Sequence, residues 1–247
     1  MMNVCAVVPV YNHEGAIGGV TARLLAHGLH CVLVDDGSTA ACARVLDELA
    51  AASPGQVTLV RLAVNGGKGA AVMAGIARAT ELAYSHVLQI DADGQHDTDD
   101  VPRFIATAQA HPHAVICGHP IYDDSVPKAR LYGRYATHIW VWINTLSFDI
   151  RDSMCGFRIY PVAAVNALAA RTRLGRRMNF DTDVLVRLYW RGVRIVNVAT
   201  KVRYPEDGVS HFQLWRDNVQ ISGMHTALFF GMLPRIPLLL ARKWKRA

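Results

Sequence analysis

Apolar and polar positions along the first half of the chain fall into alternating blocks. Short apolar runs at 5–9, 31–34, 57–62, 87–90 and 114–118 have the length and composition of buried strands. Between them lie stretches with helical periodicity: 14–27, with Ile17, Val20, Leu24 and Leu25 on one side, then 41–52, the Ala-rich 68–84, and about 99–110. This alternation predicts an α/β fold, a doubly wound and mostly parallel sheet with helices on both faces. Loops leaving the strands of such a sheet share one edge, so 9–12, 35–38, 65–68 and 91–93 should converge there. Polar and glycine-rich loops meeting at one edge are what a nucleotide pocket requires.

The fourth run ends in Asp91-Ala92-Asp93-Gly94-Gln95-His96-Asp97. Two carboxylates one residue apart at a sheet edge suit a hard divalent cation, which takes oxygen ligands and is commonly shared with substrate phosphates. The competing reading is a solvated turn leading into a helix, with Asp97 as its N-cap. A dinucleotide fold is disfavoured because no G-x-G-x-x-G follows the first strand, and Gly66-Gly67-Lys68-Gly69 lacks the spacing and the Ser/Thr of a P-loop.

At 247 residues the chain can bury a substantial core, and one domain with a C-terminal elaboration is expected. The five cysteines are widely spaced, with no C-x-x-C, which suggests small buried hydrophobes in a reducing compartment. None of the eleven histidines falls in a zinc spacing. The net charge of +6 is concentrated at the end of the chain, in Arg235, Arg242, Lys243, Lys245 and Arg246 among apolar residues, and favours a membrane surface over nucleic acid. The N-terminus reads as a strand and not a signal peptide, so export is not expected. Helical periodicity over 131–148 puts Tyr135, Ile139, Trp142, Ile143 and Leu146 on one stripe, which could be core or an interfacial face. In 223–246, Pro234, Arg235 and Pro237 interrupt the apolar run short of the roughly 20 residues a span needs, so that segment is expected to lie in the interface.

Taken in order, Val8-Pro9-Val10-Tyr11-Asn12, Val34-Asp35-Asp36-Gly37-Ser38, Asn65-Gly66-Gly67-Lys68-Gly69 and Asp91-Ala92-Asp93-Gly94-Gln95 resemble the motifs of family 2 glycosyltransferases. The resemblance is nearest to the dolichyl-phosphate mannose synthase and polyprenyl-phosphate glycosyltransferase branch. It continues through Asp152-Ser153-Met154-Cys155-Gly156-Phe157-Arg158, Phe180-Asp181-Thr182-Asp183 and the stretch 203–212. It implies a GT-A fold over 1–212, a membrane-associating segment over 213–247, and inverting sugar transfer from a nucleotide-sugar to a lipid phosphate at the cytoplasmic face of the membrane. Pro9, Tyr11, Asn12, Asp35, Asp36, Lys68, Asp91, Ala92 and Gln95 would then bind the nucleotide-sugar. Asp91, Asp93 and Gln95 would hold Mg²⁺ or Mn²⁺, and Asp93, Asp181 and Arg203 would serve catalysis. Arg130, Arg134, Arg158 and His211 would meet the acceptor phosphate.

The chain departs from the family pattern at His13, His119 and His211, where glutamate, arginine and lysine are usual. Phosphate binding would therefore rest more on Arg130, Arg134 and Arg203. Two other functions remain open: a saccharide or other hydroxyl acceptor, with Asp181 as base, and a non-catalytic nucleotide-sugar-binding protein. Asp181 also reads as a plain helix-start carboxylate.

Overall fold

The computed structural model describes residues 2–121, 128–202 and 214–244, with only the backbone at 128–132 and 214. Strands β1 (Val4–Val10), β2 (His30–Asp35), β3 (Val57–Arg61) and β4 (His86–Gln89) alternate with helices α1 (Glu14–Ala26), α2 (Ala40–Ala52) and α3 (Lys68–Glu81). A single 3₁₀ turn, Thr98–Asp100, leads into α4 (Val101–Ala110), and β5 (Val115–Ile121) follows. Asp97 does cap this turn, accepting from the Asp99 N–H at 3.1 Å. The alternation read from the sequence is therefore the observed one, with α3 three residues shorter at its end than its apolar pattern suggested.

The second half adds α5 (Lys128–Thr145), β6 (Arg158–Pro161), α6 (Val162–Ala169), α7 (Phe180–Trp190), β7 (Ile195–Lys201), α8 (Leu214–Met232) and α9 (Ile236–Trp244). All seven strands form one sheet in the order β3-β2-β1-β4-β6-β5-β7. Only β6 runs against its neighbours, pairing antiparallel with both β4 and β5. Its four residues begin with a buried arginine, so they carry no apolar run that a sequence pattern could reveal.

Successive residues of β1 and β2 feed opposite faces, as strand geometry demands. Val7, Val32 and Val34 join the core cluster that also holds residues of α3, α7 and α8, while Ala6, Val8 and Leu33 join the one that holds residues of α1, α2 and α4. The five cysteines are all free and buried, as expected of small hydrophobes. Helix α3 lies so close to the sheet that a Cβ on Gly75 would stand 2.3 Å from Val7 Cγ1 and 3.1 Å from Val34 Cγ2.

In α5 the stripe divides: Tyr135, Ile139 and Ile143 are exposed, Trp142 is half-buried and Leu146 packs partly buried against the core, while the buried positions include the polar His138, Asn144 and Thr145. At the C-terminal end, Pro234 and Pro237 do not stop the helix: α8, the 3₁₀ turn Leu233–Arg235 and α9 follow one another without a gap. Both prolines sit in first turns, where no backbone donor is missed. Trp215–Trp244 is long and apolar enough to cross a membrane by length and composition alone, with mean hydropathy 1.4 over its most apolar window. Met224, Leu228, Met232 and Leu239 nonetheless join the core on one side.

Two of the terminal cations dock this helix to the domain. Arg242 donates to the carbonyls of Tyr189 (3.2 Å) and Trp190 (2.9 Å), the open end of α7, where a cation also meets the negative end of the helix dipole. Arg235 lies over the Trp190 ring, 4.8 Å from its centroid.

Gly75→Ala should lower stability by about 1–3 kcal/mol, because neither Val7 nor Val34 can retreat within a filled core. A denaturant titration checks it; an unchanged midpoint would contradict the tight α3–sheet packing.

Candidate active site

The loops that leave β1, β2, β3 and β4 meet at one edge of the sheet and are joined to each other by side chains. Asn12, at φ 55°, accepts from the Thr39 N–H through Oδ1 at 2.8 Å, and its own N–H donates to Ser38 Oγ at 3.2 Å. Asp36 accepts from the N–H groups of Gly66 (2.7 Å) and Gly67 (2.9 Å). Burial raises the Asp36 carboxyl above its ordinary value, against the lowering effect of these two backbone bonds.

The centre of the edge is a shared ion pair. Lys68, the first residue of α3, places Nζ 2.7 Å from Asp91 Oδ1 and 2.7 Å from Asp181 Oδ2. Asp181 Oδ1 accepts from Gln89 Nε2 at 2.9 Å, and Arg158 Nη1 donates to the Asp181 carbonyl at 2.6 Å. His96 Nε2 stands 3.5 Å from Asp91 Oδ2. Burial works against the charge on Lys68, but Asp181 and Asp91 hold its pKa above the ordinary lysine value. Burial likewise opposes ionisation of Asp91, and Lys68 and His96 overcome it, keeping the carboxyl well below the usual carboxylate range. Both groups are charged at neutral pH.

The residues present fit a divalent ion. Asp91 is anionic and partly open to solvent, and its neighbour Gly156 leaves the space a side chain would fill: a Cβ there would lie 2.3 Å from Asp91 Oδ2. Asp93 is half-buried and accepts from the Gln95 N–H through Oδ1 at 3.0 Å, so Asp91, Asp93 and Gln95 share one loop. Among the described residues no group of three His, Cys, Asp or Glu side chains gathers as a metal cage, so an ion here would draw its remaining ligands from water and substrate phosphates.

Other residues singled out in the sequence take different places. Pro9 and Tyr11 stand partly exposed at the end of β1. Asp35 is sealed: Oδ1 accepts from the Ser38 N–H at 2.9 Å and Oδ2 from Arg61 Nε at 2.9 Å, so it holds the loop and has no lone carboxylate face for a nucleotide. Ala92 turns its methyl into the core and could offer a ligand only its backbone. Arg158 is fully buried and donates to Tyr160 Oη, the Asp181 carbonyl and the Ser153 carbonyl, which makes it a brace for Asp181 and not an acceptor contact. Arg134 forms a two-pronged pair with Asp152 at 2.5 and 2.7 Å. The Arg130 side chain, Arg203 and His211 lie outside the described residues.

Sequence reasoning missed Gln89, His96 and Gly156. Gln89 left a usable signal: an amide closing an otherwise apolar run needs a buried partner. His96 and Gly156 stand in the sequence motifs, but their roles come from contact with Asp91, which a linear motif does not show.

Removing Lys68 as Lys68→Met leaves Asp91 and Asp181 without their shared cation and should cost about 3 kcal/mol or more at neutral pH. In the wild type the depressed Asp91 pKa stabilises the fold above the unfolded-state carboxylate value, and that stability is lost only as pH falls below it. In the variant the Asp91 pKa should rise, so stability should improve on moving from about pH 7 to pH 5, where the wild type is flat. Thermal melts across that range check both halves; a variant as stable as wild type at pH 7 would contradict the ion-pair account.

Residues 5–171 match the family model described as glycosyl transferase family 2. The chain is 25% identical over 209 residues to polyprenol monophosphomannose synthase of Mycolicibacterium smegmatis, covering 83% of this chain and 78% of that protein. It is 24% identical over 216 residues to UDP-N-acetylglucosamine–dolichyl-phosphate N-acetylglucosaminyltransferase of Methanococcus voltae, covering 81% and 85%. In fold it is similar to glucosyl-3-phosphoglycerate synthase of Mycobacterium tuberculosis, with a TM-score of 0.68 at 16% identity over 95% of this chain and 80% of that one. The architecture is of the GT-A type. The chain belongs to glycosyl transferase family 2, and the polyprenol monophosphomannose synthase and dolichyl-phosphate transferase it resembles fall in that family's polyprenyl-phosphate branch.

Proposed function

We propose that this protein is an inverting glycosyltransferase that moves a sugar from a nucleotide-sugar to a polyprenyl-phosphate-type lipid, assisted by Mg²⁺ or Mn²⁺. The donor half draws support from the convergent loops at 9–12, 36–38 and 65–68 and from glucosyl-3-phosphoglycerate synthase, the fold neighbour whose structure has been solved in complex with Mn²⁺ and uridine diphosphate. Asp91, Asp93 and Gln95 would hold the ion, which when bound neutralises charge developing on the leaving diphosphate.

The state of Asp181 carries the choice of acceptor. A hydroxyl nucleophile must lose a proton as it attacks, so a hydroxyl acceptor needs an available base. Both oxygens of Asp181 are engaged, one by Lys68 and one by Gln89. A phosphate monoester is already largely an anion near pH 7, its second pKa being about 6, and needs no base. Asp181 then orients Lys68 and Asp91 and does not take a proton. The names of the two long-matching relatives, both lipid-phosphate transferases, support the same acceptor.

A lipid acceptor also gives the exposed apolar surface a purpose. Trp140, Tyr135, Ile139 and Ile143 on α5, and Phe230, Leu233, Leu238 and Trp244 along α8, the 3₁₀ turn and α9, face outward while the opposite sides pack on the domain. Trp140 packs against His225 and Phe229 of α8, joining the two surfaces. We place this face on the membrane, with the segment 213–247 lying along it and the active-site loops at the cytoplasmic side.

Two substitutions test the reading together, with melts taken so that folding losses are recognised. Asp93→Ala should cut turnover by at least about 100-fold with little change in the melt, since the side chain is half-buried on a loop. Asp181→Asn, assayed at saturating donor and below its melting temperature, should stay within about tenfold of wild type. A loss of about 10² to 10⁴ from Asp181→Asn, with Asp93→Ala active, would transfer the assignment to a hydroxyl acceptor and a base mechanism.

A further inference from the structure

A phosphate acceptor needs cations: among the described residues Arg158 is a buried brace and Arg134 is paired with Asp152, while the Arg130 side chain, Arg203 and His211 lie outside them. A further pair stands against the loop that leads into Lys68. The segment between α6 and α7 carries Arg176 and Arg177 over the β3–α3 loop. The Arg176 carbonyl accepts from the Ala70 N–H at 2.9 Å, and Arg177 Nη1 donates to Asn65 Oδ1 at 3.3 Å. The contact requires glycine beneath it: a Cβ on Gly67, at φ 93°, would lie 2.5 Å from Arg177 Cγ and 2.7 Å from the Arg176 carbonyl.

Between these loops and α8 lies a cleft of about 470 Å³ walled by Asn65, Gly66, Arg176, Arg177, Asn179 and Gln220, with Val64 at its edge. Its polar lining is two guanidinium groups and three side-chain amides, with no carboxylate. The nearby acid, Asp36, accepts from the Gly66 and Gly67 N–H groups and also feels the charge of Arg177. The α6–α7 segment packs on the start of α3, where a Cβ on Gly69 would lie 2.5 Å from the Gly175 carbonyl and 2.6 Å from Phe180 Cβ, so the cleft borders the helix turn that begins with Lys68. On α8, Arg216 is exposed one turn before Gln220 on the same face, and the exposed Trp215 and Val219 lie alongside. Paired guanidinium forks match the geometry of a phosphate better than that of any neutral group. A ligand with a phosphate head and an apolar tail could place its head at the arginines and its tail along α8.

We propose that this cleft is a phosphate-monoester site in which Arg176 and Arg177 hold the phosphate of the acceptor. Its assignment to the acceptor rests on the transfer reaction proposed above; its anion-binding chemistry does not.

Calorimetric titration of the full chain tests it, using phenyl phosphate, a short-chain polyprenyl phosphate, and uridine diphosphate with Mn²⁺ as separate probes. The double variant Arg176→Ala/Arg177→Ala should weaken both phosphate monoesters at least about tenfold and leave the nucleotide within about twofold. Arg176→Lys/Arg177→Lys, which keeps the charge, should recover part of the loss. If the alanine variant loses its melt, Arg176→Gln/Arg177→Gln replaces it. Unchanged monoester affinity in a folded variant overturns the site while leaving the lipid-phosphate acceptor standing. Equal losses for nucleotide and monoester also overturn it, because the arginines would then belong to the donor pocket. Binding of phenyl phosphate through the arginines without binding of the polyprenyl phosphate upholds the site and refutes the lipid acceptor. A wild-type chain that binds neither monoester refutes the site.

Discussion

One buried ammonium holds the active edge together. Lys68 is the only link seen between the carboxylates of Asp91 and Asp181 among the described residues, and those two belong to the loop after β4 and to α7. Two carboxylates drawn this close in a poorly hydrated site would repel each other and one would take up a proton. With Lys68 between them Asp91 stays ionised, and the start of α3, the end of β4 and the start of α7 are fixed in one arrangement. Gln89 and Arg158 extend the network into the antiparallel part of the sheet, where β6 lies directly beside β4. The edge that carries Asp91 therefore stands next to a strand pairing that breaks the parallel order.

That network bears on what the centre can do. Asp91 keeps its negative charge for a cation, Asp93 stands beside it on the loop, and Asp181 is occupied. An arrangement rich in charge compensation and poor in available bases suits a nucleophile that arrives already ionised. The outward apolar faces of α5 and the α8–α9 stretch suit an acceptor held in a lipid surface. Arg235 and Arg242 are partly consumed in docking the last helix to Trp190 and the end of α7, so the terminal charge serves the fold as well as any surface.

Much of the architecture was legible in the sequence because parallel strands buried on both faces leave continuous apolar runs. The four β-edge loops were legible for a related reason, since polar and glycine residues must close each run. The antiparallel β6 was not, because four residues opening on Arg158 give no period to read. Nor could a linear pattern show that both acids of the second loop are engaged within the fold, Asp35 by Ser38 and Arg61 and Asp36 by Gly66 and Gly67. Ala92 and Arg158 were assigned to ligands by position in a motif, and burial turned both inward. Pro234, Arg235 and Pro237 interrupt the apolar run in the sequence, yet helix continues through them because both prolines sit in first turns. Cations from distant segments, such as Arg176 over Gly66, become neighbours only in the folded chain.

The central claim is that an ionised lipid phosphate accepts a sugar from a nucleotide donor. Its most direct test is mass-spectrometric detection of product from purified protein with UDP- and GDP-sugars, Mg²⁺ or Mn²⁺, and either a short-chain polyprenyl phosphate or the corresponding polyprenol. The account predicts a glycosyl phosphodiester from the phosphate, formed only with the metal present, and no product from the alcohol. Product from the alcohol or from a free saccharide, with none from the phosphate, would contradict it.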